Sequence, residues 1–178
     1  MGERLEFRDL RADEIEVKVS RGSDAGIDLL LYKDARCDMQ ILDETVGPLG
    51  WERGHEMIGD TLYCTVSVYR PETGVLVMKQ DAGKPSEFEP EKGAASDSFK
   101  RACTNWGIGR ELYTAPRIFV QKGLYHPYRN ATRDRFSVRK IIIRQHRIMA
   151  LAIRNDSMDG KTVFVWTAPG FKPEQKEG

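Results

Sequence analysis

Apolar and polar residues alternate most clearly over residues 61–70 (TLYCTVSVYR). There Leu62, Cys64, Val66 and Val68 interleave with Tyr63, Thr65, Ser67 and Tyr69, the period of two that marks a half-buried strand. PETG (71–74) follows, with Pro at its start and Gly at its end, a turn, and VLVMKQ (75–80) returns as a strand. WERGHEMIG (51–59) leads through Gly59-Asp60 into the first of these and completes a three-stranded meander. IDLLLY (27–32) reads as a buried strand. RFSVRKIIIRQ (135–145), RIMALAIR (147–154) and TVFVWT (162–167) read as three more.

Two stretches carry helical spacing instead. In 33–47, Cys37, Ile41 and Leu42 share a stripe that Gly47-Pro48 ends. Over 92–106, at 100° per residue, Ala95, Phe99, Ala102, Cys103 and Trp106 fall within a narrow arc. Ala94 and Ala95 allow close packing on a sheet, and Gly107 suits the left-handed exit. Residues 7–20 fit either a short helix or a strand over 15–19, and 117–121 either a short strand or a helix. Residues 20–26, 81–90 and 122–134 read as loops, and 168–178 as a disordered tail. The expected fold is α+β: one domain over 1–170, with an antiparallel β-meander packed by helices as a β-β-β-α core at about 8–120. A C-terminal β element follows at about 135–167.

Hydrophobic residues form 40% of the chain, enough for a core, and no apolar run approaches membrane-spanning length. With no apolar segment after the start, a cytoplasmic protein is expected. Cys37, Cys64 and Cys103 show no paired spacing and suit reduced, buried thiols. The net charge of +1 conceals a segregation. Residues 100–154 hold thirteen Lys and Arg against Glu111 and Asp134, a net +11, which leaves −10 for the rest. Either the acidic remainder neutralises this tract, or the tract faces a polyanion.

Lys100 and Arg101 open the basic tract. They lie on either flank of the helix, away from its apolar arc, near the hydroxyls of Ser96, Ser98 and Thr104. Cations and hydroxyls on a rigid helix suit phosphate; the alternative is a solvated helix face with no ligand. Other chemistries find little support. The three histidines lack metal spacing. WGIGREL lacks the third glycine of a dinucleotide loop, and DAGKP lacks the spacing of a phosphate loop. Asp38, Asp43, Glu44 and Asp97 suggest a nuclease metal site at most, since three of them share one short helix as its solvated face or as oligomer contacts. No cofactor and no resident metal are expected.

The order of motifs adds a resemblance. YKDARCDMQILDETVGPLGW, then the meander, then KGAASDSFKRACTNWGIGRELY resembles phage and bacterial single-strand annealing proteins. These are relatives of the eukaryotic double-strand-break repair annealing protein of the Rad fifty-two type. The resemblance covers roughly residues 8–120. It implies subunits that assemble side by side into rings, with single-stranded DNA in a basic groove and bases facing outward. The family's helix Lys-Arg pair matches Lys100 and Arg101. The further basic position after the Arg is Thr104 here, which shifts that role to Arg110. Arg36, with Lys33 as substitute, matches approximately the basic residue before the Gly-Trp helix. Arg70 and Lys84 match an outer basic site by location only.

The expected function is ATP-independent binding and annealing of single-stranded DNA in phage recombination and repair, inside a bacterial host and without covalent chemistry. Expected partners are single-stranded DNA, further copies of the chain, and a phage exonuclease or host single-strand-binding protein. Arg139 and Lys140, in the basic 135–154 hairpin, are a second place for DNA or for an acidic neighbour. Tyr63 and Tyr69 are candidates for base stacking. Meander edges or residues 27–32 are candidates for strand pairing between subunits. Competing classes are a single-strand-coating module without annealing and a metal-dependent nuclease.

Overall fold

The computed structural model describes residues 5–85 and 89–172. The chain is α+β and falls into two compact units, each assembled from two separate stretches: residues 1–8 with 34–110, and 9–33 with 111–178. The 8–120 stretch expected as one core is therefore shared between the two.

In the first unit, α1 (Ala35–Val46) starts where the Asp34 side chain accepts a hydrogen bond from the Arg36 backbone N–H at 2.7 Å, an N-cap. It ends at Gly47, whose φ of 77° excludes most other residues. The meander β3 (Trp51–Ile58), β4 (Thr61–Arg70) and β5 (Val75–Ala82) is antiparallel with β4 central. Cys64, Val66 and Val68 of β4 are fully buried. Helix α2 (Pro90–Trp106) packs on the meander through Phe99, Ala102 and Cys103, all fully buried. Trp51 stacks on Phe99 with centroids 6.0 Å apart, and the Trp106 indole N–H donates to Val66 O at 3.0 Å. The close approach of α2 rests on Gly83 as well as on alanines: a Cβ there would lie 2.1 Å from Ala94 O.

The second unit is one six-stranded antiparallel sheet in the order β11-β10-β9-β1-β2-β6. Its strands are β1 (Ile15–Gly22), β2 (Gly26–Lys33), β6 (Ile118–Gln121), β9 (Phe136–Arg144), β10 (Arg147–Asn155) and β11 (Lys161–Thr167). A small hairpin, β7 (Pro127–Tyr128) and β8 (Ala131–Thr132), interrupts the loop expected over 122–134. Residues 7–20 resolve as a 3-10 turn at Ala12–Glu14 and then strand β1, and 117–121 resolves as strand. The expected C-terminal β element exists, but it joins β1 of the same sheet through the β9 pairing Glu16↔Ser137 and Val17↔Phe136. Of the tail, 173–178 lies outside the described residues. Residues 168–171 are tied down, with Ala168 N donating to Met149 O at 2.8 Å.

Two expectations change here. β2 over Gly26–Leu29 has β1 on one side and β6 on the other, so that part of 27–32 has no edge left for a neighbouring subunit. Asp38 is fully buried rather than solvated.

Glu111 is fully buried in the second unit. One carboxylate oxygen accepts the Leu10 N–H at 2.7 Å, and the other, Oε2, has no hydrogen-bond partner. Burial raises its pKa and the nearby Asp9 charge adds to that, while backbone hydrogen bonds and His146 oppose it. The folded chain thus holds this proton more tightly than the unfolded chain. Glu111's contribution to stability is full below the unfolded pKa, about 4.3 for a free Glu. It is lost as pH rises through the raised folded value. In urea unfolding, Glu111→Gln should gain stability relative to wild type between about pH 4 and pH 7. A constant difference across that range would contradict this.

Candidate nucleic-acid interface

The α2 cations sit where the helical spacing places them, yet much of their charge is already engaged. Arg101 is exposed and pairs with Asp81 of β5 at 3.3 Å. Lys100 is half-buried. The neighbouring hydroxyls serve the helix itself: Ser98 Oγ, buried, donates to Ala95 O, and Thr104 Oγ1 donates to Lys100 O at 3.0 Å. Both donate within the helix, so their hydroxyl protons are engaged there.

Arg110 has a different partner. Its guanidinium donates to Thr104 O at 2.9 Å and Asn105 O at 3.1 Å, and Lys79 Nζ donates to Asn105 O at 2.7 Å. Both cations close the C-terminal end of α2, where free carbonyls and the helix dipole favour positive charge. Lys79 also lies 4.6 Å from the Trp106 ring centroid. Burial lowers its pKa, and the Arg110 charge lowers it further. Arg53 lies over the Phe99 ring at 4.7 Å. The first unit thus directs most of its cations at its own carboxylates, carbonyls and rings.

The remaining expected positions do not converge. Arg36 is exposed in the first turn of α1. Arg70 pairs with Glu72 at the β4–β5 turn. Lys84 lies beyond the far end of β5, its backbone N–H donating to Asp97 at 3.0 Å. Eight residues of extended strand separate the two ends of β5, about 25 Å, so Arg70 and Lys84 do not form one outer site. Lys33 is buried at the end of β2, so it does not substitute for Arg36 on a surface. Tyr63 is half-buried, and Tyr69 is exposed opposite Leu76.

The densest exposed positive charge lies on the second unit. Arg139, Lys140, Arg144, Arg147 and Arg154 are all exposed on the β9–β10 hairpin. Among the described residues only Arg154 of these has a carboxylate partner, Asp156 at 2.9 Å. A bulge makes the cluster denser. Lys140 opposes Ala152 and Val138 opposes Ile153, which leaves Arg139 as an extra residue. The extra residue breaks the alternation of faces, so the consecutive Arg139 and Lys140 are both exposed. Arg139 reaches Thr162 Oγ1 of β11 at 2.7 Å. Val138, Leu151 and Ile153 are buried beneath. By sequence count the first unit carries −4 and the second +5.

Of the four carboxylates of the nuclease alternative, Asp38 is fully buried and the other three are engaged. Asp43 accepts the Trp51 indole N–H at 2.7 Å, Glu44 pairs with Arg8, and Asp97 accepts from Lys84 N. Among the described residues no three of His, Cys, Asp or Glu gather where they could hold a metal ion. All three cysteines are buried and none forms a disulfide, and burial pushes the Cys64 thiol up to about 11 against the opposing Arg53 charge. No helix among the described residues is long and apolar enough to cross a membrane. Comparison with protein-family models, curated proteins and solved structures finds no match.

Sequence reasoning missed the bulge, although its trace is there: Arg139 and Lys140 stand as two consecutive polar residues between Val138 and Ile141 and break the alternation. It also missed the pairing of Arg101 and the capping role of Arg110, which depend on chain segments far apart in sequence or on backbone geometry. Arg110→Ala should cost about 0.3–1 kcal/mol of stability by removing the charge at the α2 C-terminus and leave elution from heparin unchanged. Lys140→Ala should do the reverse. Denaturant unfolding and a salt gradient on heparin check both.

Proposed function

We propose that this chain binds single-stranded DNA without sequence preference and promotes annealing of complementary strands without ATP. The observation that carries the reading is the β9–β10 hairpin, a rigid antiparallel pair presenting Arg139, Lys140, Arg144 and Arg147 with no carboxylate partner among the described residues. Annealing makes and breaks no covalent bond. Its barrier is repulsion between two phosphate backbones together with the internal structure of each strand. Cations fixed on a sheet neutralise phosphates and release counterions, and they carry no sequence information. The resemblance of 8–120 to single-strand annealing proteins agrees with this reading. The main phosphate track, however, is assigned to the β9–β10 hairpin instead of Lys100 and Arg101, with the α2 pair as a lesser site.

One subunit offers only a few cations to a strand. Repetition of the chain in a homo-oligomeric ring would multiply them without making any single interaction stronger. The outer strands β3 and β5 of the meander are open edges in its hydrogen-bonding order, which leaves backbone groups for such pairing.

The test mixes two complementary labelled oligonucleotides with the full chain, without ATP and without Mg²⁺. Faster duplex formation supports annealing, slower formation supports coating alone, and cleavage on adding Mg²⁺ supports a nuclease. For binding, the log–log salt slope should fall by about 0.7 for each phosphate that is no longer neutralised. Replacing Arg139, Lys140, Arg144 and Arg147 together by Gln should therefore reduce it by about 2 to 3, measured by fluorescence anisotropy on oligo-dT. Lys100→Ala with Arg101→Ala should reduce it by less than that. The opposite ranking returns the track to α2.

A further inference from the structure

The β7–β8 hairpin holds an aromatic ring beside two arginines, and its construction fixes that group in place. Asn155, fully buried, donates to Asp134 Oδ2 at 2.7 Å and to Leu124 O at 3.1 Å. Asp134 also accepts from the His126 backbone N–H at 2.9 Å, and its own N–H donates to Thr132 Oγ1 at 3.0 Å. Thr132 Oγ1 in turn donates to His126 O at 2.7 Å. The other side of the hairpin lies directly on β1. A Cβ at Gly22 would fall 1.4 Å from Asn130 O, so only glycine lets the turn seat there.

On this base Tyr128 stands 39% exposed. The Arg133 guanidinium carbon lies 3.8 Å from its ring centroid, and Arg133 Nη2 donates to the phenol oxygen at 2.6 Å. Arg129 lies at 5.5 Å, at a φ of 53°, a left-handed conformation that costs a non-glycine residue energy. Neither arginine has a carboxylate partner among the described residues. The adjacent Asp134 is already engaged by Asn155 and His126.

We propose that Tyr128, with Arg133 and Arg129, is a nucleobase-stacking station for single-stranded nucleic acid. The inference rests on the single-strand reading above and adds to it an interaction with bases. The partly exposed ring and its guanidinium layer offer a flat surface to one unstacked base. The remaining guanidinium donors meet the flanking phosphates. Every base has a π-face, so the station is indifferent to sequence. In a duplex those faces are already stacked, so the station favours single strands and releases the paired product.

The experiment uses the full chain with two oligonucleotides of equal length, one of deoxythymidine and one of abasic sites, which keeps the phosphates and removes the bases. Tyr128→Ala should weaken oligo-dT binding about 5- to 150-fold and leave abasic binding unchanged. Tyr128→Phe, which keeps the ring and removes only the phenol hydrogen bond, should retain most of the oligo-dT affinity. An equal loss on both oligonucleotides, or an unchanged oligo-dT affinity, overturns the stacking station and leaves the phosphate track standing. Wild-type protein that binds neither oligonucleotide at low salt overturns both readings. Unfolding curves for the variants separate a stacking defect from a folding defect.

Discussion

Like charges placed directly opposite each other across an antiparallel pair push the strands apart, and Arg144 faces Arg147 at the end of the β9–β10 hairpin. The turn that joins them adds to the cost. Gln145 and His146 both have positive φ, at 52° and 56°, without a glycine. Arg139 and Lys140 bring two more exposed cations a few residues along the same strand. What holds the hairpin is its other side. Val138, Ile148, Leu151 and Ile153 are buried, and the ladder to β11 extends the sheet beyond the charged pair. Apolar burial of this kind contributes roughly 1.5–3 kcal/mol per fully buried side chain, enough to tolerate a repulsion that a mobile loop would relieve by moving apart. A polyanion relieves the same repulsion, which links the strain to the proposed activity.

The two units treat positive charge differently. In the first, cations are engaged locally: Arg101 by Asp81, Arg70 by Glu72, Arg8 by Glu44, Lys79 and Arg110 by the end of α2, Arg53 by the face of Phe99. Such interactions fasten helix to meander and leave less charge for a ligand. In the second, Asp28 binds Arg117 at 2.7 Å and lies 3.7 Å from Arg21. The hydrogen bond from Arg117 holds the Asp28 carboxyl below its ordinary pKa. Beyond that pairing, Arg129, Arg133, Arg139 and Arg144 meet a ring, a hydroxyl or a carbonyl instead of a carboxylate.

Asp134 shows how one acid supports this basic region without neutralising it. Burial alone would raise its pKa, but hydrogen bonds from Asn155 and from the backbone and ring of His126 outweigh that and keep it below the usual carboxylate range. Its charge is directed inward, toward the base of the β7–β8 hairpin. The arginines on the hairpin keep donors for a ligand.

The period of two over 61–70 and the apolar stripe of 92–106 settle the meander and α2 from the sequence alone, because each pattern is repeated enough times to exclude the other period. The strands of 135–167 are equally legible, and so is the segregation of charge. The β7–β8 hairpin is not, since two-residue strands are too short to show any period. Nor is the burial of Lys33 and Asp38, which follows from what packs over them rather than from their own polarity. Composition and spacing determined how much positive charge the chain has and which segments carry it. Only the tertiary structure decided which of those charges find a partner, because Asp81 lies twenty residues from Arg101, Asp28 eighty-nine from Arg117, and only folding brings each pair within bonding distance.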